Sequence, residues 1–323
     1  MIIKRIQSLY NPERYHGWGR SKNYFEGWYY KMISADEMHA IAVIPGIAMD
    51  ENGKKQAFIQ VLDGKNLKAD YVKFLSSSFK VGKGEFQLNM EGNHFSSSRL
   101  RLDIPGFKGE IEFENQVQWR KKWYSPGIMG PFSFMPFMEC YHGILSMDHT
   151  VKGSLTIDGK EIDFNNGRGY MEKDWGRSFP IAYFWMQSNH FSKEGVSLKA
   201  SIAKIPFAKR KFVGFIAGLW LDGKLIRFTT YNASKLIRSF ADEKTVEIKM
   251  KNPKYILHIN ANRGETTELA SPILGFMDGR VEESMTAVLE VKLIDKKTGK
   301  VIFEDKGRNA GLEVAGKIDE III

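Results

Sequence analysis

Leu155-Thr156-Ile157-Asp158-Gly159-Lys160-Glu161-Ile162-Asp163-Phe164 decides the fold class. Two short runs of mixed apolar and polar residues flank an Asp-Gly dipeptide, the signal for a tight β-hairpin turn. The pattern recurs: Leu219-Trp220-Leu221 and Leu225-Ile226-Arg227-Phe228 flank Asp222-Gly223. Asn52-Gly53, Asp63-Gly64 and Asp278-Gly279 are further turn dipeptides. Helical periodicity is scarce, and the spacing predicts one helix, Asn232 to Phe240, capped by Asn232 or Ser234. Many short strands with recurring turns imply an all-β sandwich or barrel.

The 323 residues exceed what a single core usually serves, and the chain repeats itself. Tyr24-Phe25 and Tyr183-Phe184 lie 159 positions apart, as do Asp63-Gly64 and Asp222-Gly223. Phe86 to Met90 resembles Val246 to Met250, Ser125-Pro126 matches Ser271-Pro272, and Gly167-Arg168 matches Gly307-Arg308, in the same order. This order predicts a tandem duplication with domains at 1–177 and 178–323. Each half is the right size for a barrel of about eight to ten strands around a small ligand.

Hydrophobic residues make up 43% of the chain and aromatics 13%, which suits strands and an apolar pocket. The net charge is +9, but the basic residues are scattered. The densest clusters, Arg120-Lys121-Lys122 and Lys209-Arg210-Lys211, are short. With no zinc-finger spacing or Arg-rich arm, no nucleic-acid partner is expected. The single cysteine, Cys140, excludes an internal disulfide and fits a reducing compartment. The first residues, Met1-Ile2-Ile3-Lys4-Arg5, lack the apolar core of a signal peptide, and no apolar run is long enough to span a bilayer. The expectation is a soluble cytoplasmic protein.

Residues 119–142 interrupt the strand pattern. Pro126, Pro131 and Pro136 with Gly127 and Gly130 preclude long regular structure, yet Phe, Met and Ile dominate. Such a segment must be covered. Either it is a plug packed on a core, or it makes a peripheral contact at an inner membrane face beside Arg120-Lys121-Lys122.

Phosphate-binding loops, dinucleotide fingerprints and His-Glu-x-x-His pairs are absent, and the histidines are scattered, so no metal is expected. Cys140 and His142 would share a face on a strand; a buried structural cysteine is favoured there over a nucleophile. The most unusual stretch runs from Gly167 to Arg177. If extended, it turns Tyr170, Glu172 and Asp174 to one side and Met171, Lys173 and Trp175 to the other. Carboxylates two apart on a strand lie roughly 6–7 Å from each other. In a dry cavity one of them becomes a proton donor near neutral pH; in water they form a polar face paired with Arg168, Lys173 or Arg177. In the next strand Tyr183, Trp185, Gln187, Asn189 and Phe191 alternate with Phe184, Met186, Ser188 and His190. Aromatic and polar groups mix on both faces, as in a ligand cavity, the alternative being an aromatic core. Glu26, Trp28 and Tyr30 share a face of similar character.

Six segments carry a resemblance: Phe25–Lys31 (FEGWYYK), Ser125–Gly130 (SPGIMG), Pro136–His142 (PFMECYH), Gly169–Gly176 (GYMEKDWG), Phe184–His190 (FWMQSNH) and Asn309–Val314 (NAGLEV). In these motifs the chain resembles the tocopherol cyclase-like family. The resemblance implies two tandem lipocalin-like antiparallel β-barrels. It also implies closure of a chroman ring on a prenyl quinol, or chemistry on another isoprenoid, without metal or redox cofactor. Carried onto this chain, Asp174 or Glu172 would be the acid. Trp28, Trp175, Tyr183 and Trp185 would line the site with Glu26 and Tyr30, and Gln187 and Asn189 would hold the head group. A carrier of an apolar prenyl lipid and an isoprenoid hydratase are the alternatives.

Overall fold

The structure, a computed structural model, describes residues 8–207 and 210–323. Residues 1–7, read above for a signal peptide, and Lys209 lie outside the described residues. The first twelve strands are β1 (Tyr24–Ile33), β2 (Ala40–Met49), β3 (Lys55–Asp63), β4 (Lys68–Leu75), β5 (Lys80–Val81), β6 (Gln87–Met90), β7 (Asn93–Ser96), β8 (Arg99–Ile104), β9 (Phe107–Glu114), β10 (Cys140–Ile157), β11 (Lys160–Asp163) and β12 (Gly167–Gly176). Ten more follow: β13 (Ala182–Ser188), β14 (Ser197–Phe207), β15 (Arg210–Leu221), β16 (Lys224–Thr229), β17 (Lys235–Ala241), β18 (Thr245–Lys251), β19 (Tyr255–Asn262), β20 (Thr267–Ile273), β21 (Phe276–Asp295) and β22 (Val301–Gly316). Among the described residues, helical conformation is confined to residues 8–9 and the 3-10 segments Ser76–Ser78, Gly130–Phe134 and Ile318–Glu320. The chain is all-β, as its turns predict.

Two antiparallel sheets result. The first has the order β4-β3-β2-β1-β12-β10-β9-β8-β7-β6-β5, with β11 on β10. The second has the order β16-β15-β14-β13-β22-β21-β19-β18-β17, with β20 on β21. In each sheet the last strand returns to pair with the first, β12 with β1 and β22 with β13. Asp63-Gly64 and Asp222-Gly223 both join a third strand to a fourth. The strand order therefore repeats, but the residue match slips by a face. Phe184 and Met186 lie in the second core, while Phe25 and Gly27, 159 positions earlier, lie opposite the core-facing Trp28 and Tyr30. A one-residue shift exchanges the two faces of a strand.

Neither sheet closes into the expected barrel. The first path ends at β4 and β5, which are joined through the 3-10 segment Ser76–Ser78; β5, two residues long, cannot extend a ladder back. The second ends at β16 and β17, joined by a turn in which Asn232 Oδ1 accepts the Thr229 N–H at 2.9 Å. Each open sheet nonetheless wraps one core. Phe74 of β4 and Val81 of β5 pack on the same cluster as Trp28 and Ile111.

Two local expectations are also overturned. The predicted helix at Asn232–Phe240 is a turn followed by β17, whose ladder to β18 supplies its hydrogen bonds and lets Leu236 pack on the core. Asp278-Gly279 lies within β21; the turn is at Leu274-Gly275, with φ of 50° and 90°.

By packing, the chain forms two compact units, Met1–Phe179 with Leu269–Arg280, and Pro180–Glu268 with Val281–Ile323. The excursion is stitched into the first unit: the Met49 N–H donates to Gly275 O at 2.9 Å, and the Ala270 N–H donates to Gln60 Oε1 at 2.9 Å. In that unit β6 and β8 alternate between exposed and buried, whereas β1 and β2 are buried on both faces. A Cβ on Gly275 would strike the backbone at Tyr24 and Met49. Gly275→Val is therefore expected to destabilise the protein by at least about 2 kcal/mol, read from urea unfolding.

Candidate functional site

β12 turns Tyr170, Glu172 and Asp174 to the face away from the core. β10 supplies His142, directly opposite Asp174 in the ladder. His142 Nδ1 lies 2.8 Å from Asp174 Oδ1, and Nε2, which has no hydrogen bond, faces Glu172 Oε2 at 3.5 Å. A carboxylate can only accept, so Nδ1 carries the proton and Nε2 presents a lone pair to Glu172. The Tyr170 hydroxyl donates to Glu172 Oε2. Burial, and then the charge of Glu172, hold the Tyr170 phenol well above its ordinary pKa, so it stays a donor. Glu172 is 4% exposed, while the Asp174 side chain is 24% exposed. The groups thus run from a buried acid, through an imidazole, to a carboxylate that water can reach.

Burial pattern shows where this face is open. Gly27 is the one residue of β1 that is not buried, and Ile44 the one of β2. Gly27 sits opposite Asp174 on one side and Gly46 on the other. Gly46 is roofed by the Phe58 ring, but a Cβ on Gly27 would meet only Ile44 Cγ2 at 3.6 Å and Pro45 O at 3.8 Å. Gly27 is therefore the floor of an opening beside Asp174. Tyr29, opposite Glu172, and Phe25, opposite Gly176, are the aromatic residues of β1 on this face.

Glu26, Trp28, Tyr30 and Trp175, expected to share a site with the two carboxylates, lie on the other face. There Lys173, fully buried, pairs with Glu26 Oε1, also fully buried. Glu26 further accepts from the Tyr24 hydroxyl at 2.6 Å and from the N–H groups of His16 at 2.8 Å and Gly17 at 3.0 Å. The ammonium sits over the rings of Trp28 at 4.5 Å and Trp175 at 4.9 Å. Trp28 stacks on Phe86, Tyr30 packs against Phe113, and Trp175 lies between His16 and Tyr141. These residues build the core of the first unit. Alternation alone separates them from Glu172 and Asp174, because odd and even positions of β1 and β12 face opposite ways.

Tyr183, Trp185, Gln187 and Asn189 belong to the second unit and are all buried. Phe184 and Met186 face that unit's core, and Trp185 lies over Gly311. Tyr183 donates to Glu313 Oε2 at 2.6 Å. His142, His16 and Tyr24 are partners that sequence reasoning did not place. His142 was visible only as a neighbour of Cys140, and its link to Asp174 is a cross-strand contact. Cys140 Sγ lies 3.9 Å from Asp174 Oδ1. Burial and then Asp174 push its thiol up, which keeps it protonated and unsuited to nucleophilic attack.

His142, Glu172 and Asp174 are also the one group among the described residues with donor atoms close enough to hold a cation, all within 4.8 Å. In the arrangement present, Asp174 addresses Nδ1 and Glu172 faces Nε2, a geometry that also serves proton transfer through the ring.

A family model described as tocopherol cyclase-like matches residues 99–316, from β8 to the end of β22, and so includes His142, Glu172 and Asp174. The chain belongs to the tocopherol cyclase-like family. The chloroplastic tocopherol cyclase of Zea mays is 25% identical over 198 residues, covering 58% of this chain and 41% of the maize protein. This family member thus spans about two fifths of the length of the plant relatives it matches. Among solved structures, CghA crystallised with Sch210972 superposes with a TM-score of 0.60 at 12% identity, over 91% of this chain and 88% of the other. Kievitone hydratase from Nectria haematococca gives 0.50 at 11%, over 92% and 89%. At such identities the likeness is one of fold. No helix among the described residues is long and apolar enough to cross a membrane.

The buried pair gives this family member a definite acid response. Burial alone would raise the Glu26 carboxyl, but the Lys173 ammonium, followed by His16, outweighs it and holds it below its ordinary 4.5. Burial lowers Lys173 to about 8 against the pull of Glu26, so it remains an ammonium at pH 7. The folded state binds the Glu26 proton less readily than the unfolded one. The stability from Glu26 is therefore present above pH 4.5 and lost as pH falls through the lower folded value. Urea midpoints should drop along that acid limb, and less so in Glu26→Gln. Lys173→Met leaves a buried carboxylate unpaired and should cost about 3–5 kcal/mol, much of it recovered in the double variant with Glu26→Gln.

Proposed function

We propose that the protein is an acid catalyst of isoprenoid cyclisation, acting on a prenylated hydroquinone or a related apolar small molecule. The observation that carries this reading is the imidazole held between two carboxylates beside the open Gly27 floor. Glu172 in its acid form donates a proton to the less substituted carbon of a trisubstituted alkene. The tertiary carbocation that forms is stabilised by the faces of Tyr29 and Phe25. The phenol oxygen attacks the cation, the C–O bond forms, and the phenol proton passes to the Nε2 lone pair of His142, whose cationic ring Asp174 stabilises through Nδ1–H. That proton then moves from Nε2 to the Glu172 carboxylate, so the net change is an isomerisation. A substrate that fills the opening at Gly27 displaces the water that would capture the cation. Within the second unit, Tyr183, Trp185, Gln187 and Asn189 are proposed to bind an apolar ligand.

Turnover of a phytyl or geranylgeranyl hydroquinone, followed by mass spectrometry in deuterated water, tests the reading. One carbon-bound deuterium should enter the product. Glu172→Gln should lower turnover by about 10²–10⁴-fold, and His142→Ala should lower it by less, with partial rescue by added imidazole. Full turnover in both Glu172→Gln and Asp174→Asn would sink the proposal. Labelled oxygen entering from water would mark a hydratase instead, and bound but unaltered lipid would mark a carrier.

Gly27→Val separates the opening from the acid. The added methyl groups fill space rather than strike backbone, so the urea midpoint should not fall, while ligand affinity drops by at least about tenfold. An unaltered affinity would move the ligand away from Asp174.

A further inference from the structure

The segment between β9 and β10 is not the fully buried plug that its composition allows. Ile128, Met129, Met138 and Ser125 are buried and anchor it, but Trp123 is 81% exposed, Phe137 56%, Tyr124 46% and Phe134 45%. With Tyr10, three of these side chains form a connected patch. The Tyr10 hydroxyl donates to Trp123 O at 2.7 Å, Tyr10 meets Phe134 edge-on at 6.4 Å, and Trp123 meets Tyr124 at 5.4 Å. Arg120, Lys121 and Lys122 stand exposed at its border, and no carboxylate occurs from residue 119 to residue 138. Lys122 reaches over the Tyr124 ring at 5.5 Å, while the charge of Lys121 is partly offset by Glu13 at 3.6 Å.

We infer that this patch docks the protein on an anionic lipid bilayer. Amphipathic Trp and Tyr rings, with Lys and Arg on stems long enough to reach the headgroups, are the side chains that settle at a membrane interface. Lysine is depleted at the centre of protein interfaces, and a stretch with cations and no anion complements a negative lipid surface rather than a mixed protein one. The backbone beneath is held, so the rings are presented without first being ordered. Met129 Sδ accepts the N–H of His142 at 3.1 Å, and the segment runs directly into β10 at Cys140. A bilayer at the patch therefore lies one short segment from His142. Docking stands on the patch alone; only its use in delivering substrate rests on the function proposed above.

Co-sedimentation with vesicles provides the test. The protein should bind phosphatidylcholine vesicles that contain phosphatidylglycerol, bind pure phosphatidylcholine weakly, and be released by high salt. Trp123→Ser with Phe137→Ser should reduce partition by at least about tenfold, and Lys122→Glu by about fivefold or more. Both variants should keep the wild-type urea midpoint, since the side chains are exposed. Turnover of detergent-dispersed substrate should also be unchanged in both, which separates failure to dock from failure of the acid site. A wild-type protein indifferent to anionic vesicles, or a double variant that binds them normally, would overturn the inference. So would a wild-type dimer in lipid-free solution that the double variant dissociates, because the patch would then be covered by a second copy.

Discussion

A lysine and a glutamate without solvent exposure, Lys173 and Glu26, hold the first strand of the first sheet against the last. Neither charge is tolerable in a core alone, and the cost of burying both is offset only where the remaining hydrogen-bonding capacity is used. Here it is used fully. Glu26 collects a hydroxyl and two backbone N–H groups, and Lys173 reaches His16 Nδ1 at 2.8 Å and the carbonyl of Arg14. The pair ties the approach segment around residues 14–17, β1 and β12 into one arrangement. Sliding β12 by one residue would expel Lys173 from the core and drive Glu172 and Asp174 into it. Register is therefore fixed electrostatically as well as by apolar packing.

That register divides the chemistry of β12 between two faces. Toward the core the Lys173 ammonium is matched, and the aromatic rings of Trp28 and Trp175 enclose it. Away from the core the match is incomplete, since His142 Nε2 faces Glu172 across a gap longer than a hydrogen bond. The proposed acid step needs such slack, because a carboxyl that keeps its proton tightly bound to protein has none to give. In that proposal the opening at Gly27 takes the substrate on the same side, next to the accessible Asp174.

Much of this was legible in advance. Alternation along Gly167–Gly176 put Glu172 and Asp174 on one face, and the Asp-Gly turns announced an all-β chain. The error was to gather Glu26, Trp28 and Tyr30 into the same site. Their composition, aromatic with one carboxylate, suits a pocket and a polar-centred core equally well. Lys173 is what makes it a core, and Lys173 reads in sequence as a surface residue. His142 was passed over for a related reason: its partner lies on a strand 32 positions away. The helix expected near Asn232 failed because a local capping signal was outweighed by the ladder between β17 and β18.

By itself the sequence determined the secondary-structure class, the repeat of motifs in one order along the chain, and the pair of carboxylates that share a face, since these depend on turn residues and on the period of a strand. Tertiary structure decided which face looks into the core, whether the sheets close, and which histidine meets the carboxylates. Those depend on register and on contacts between distant strands. Period alone leaves both faces of a strand equivalent, until a buried partner such as Glu26 makes one of them the inside.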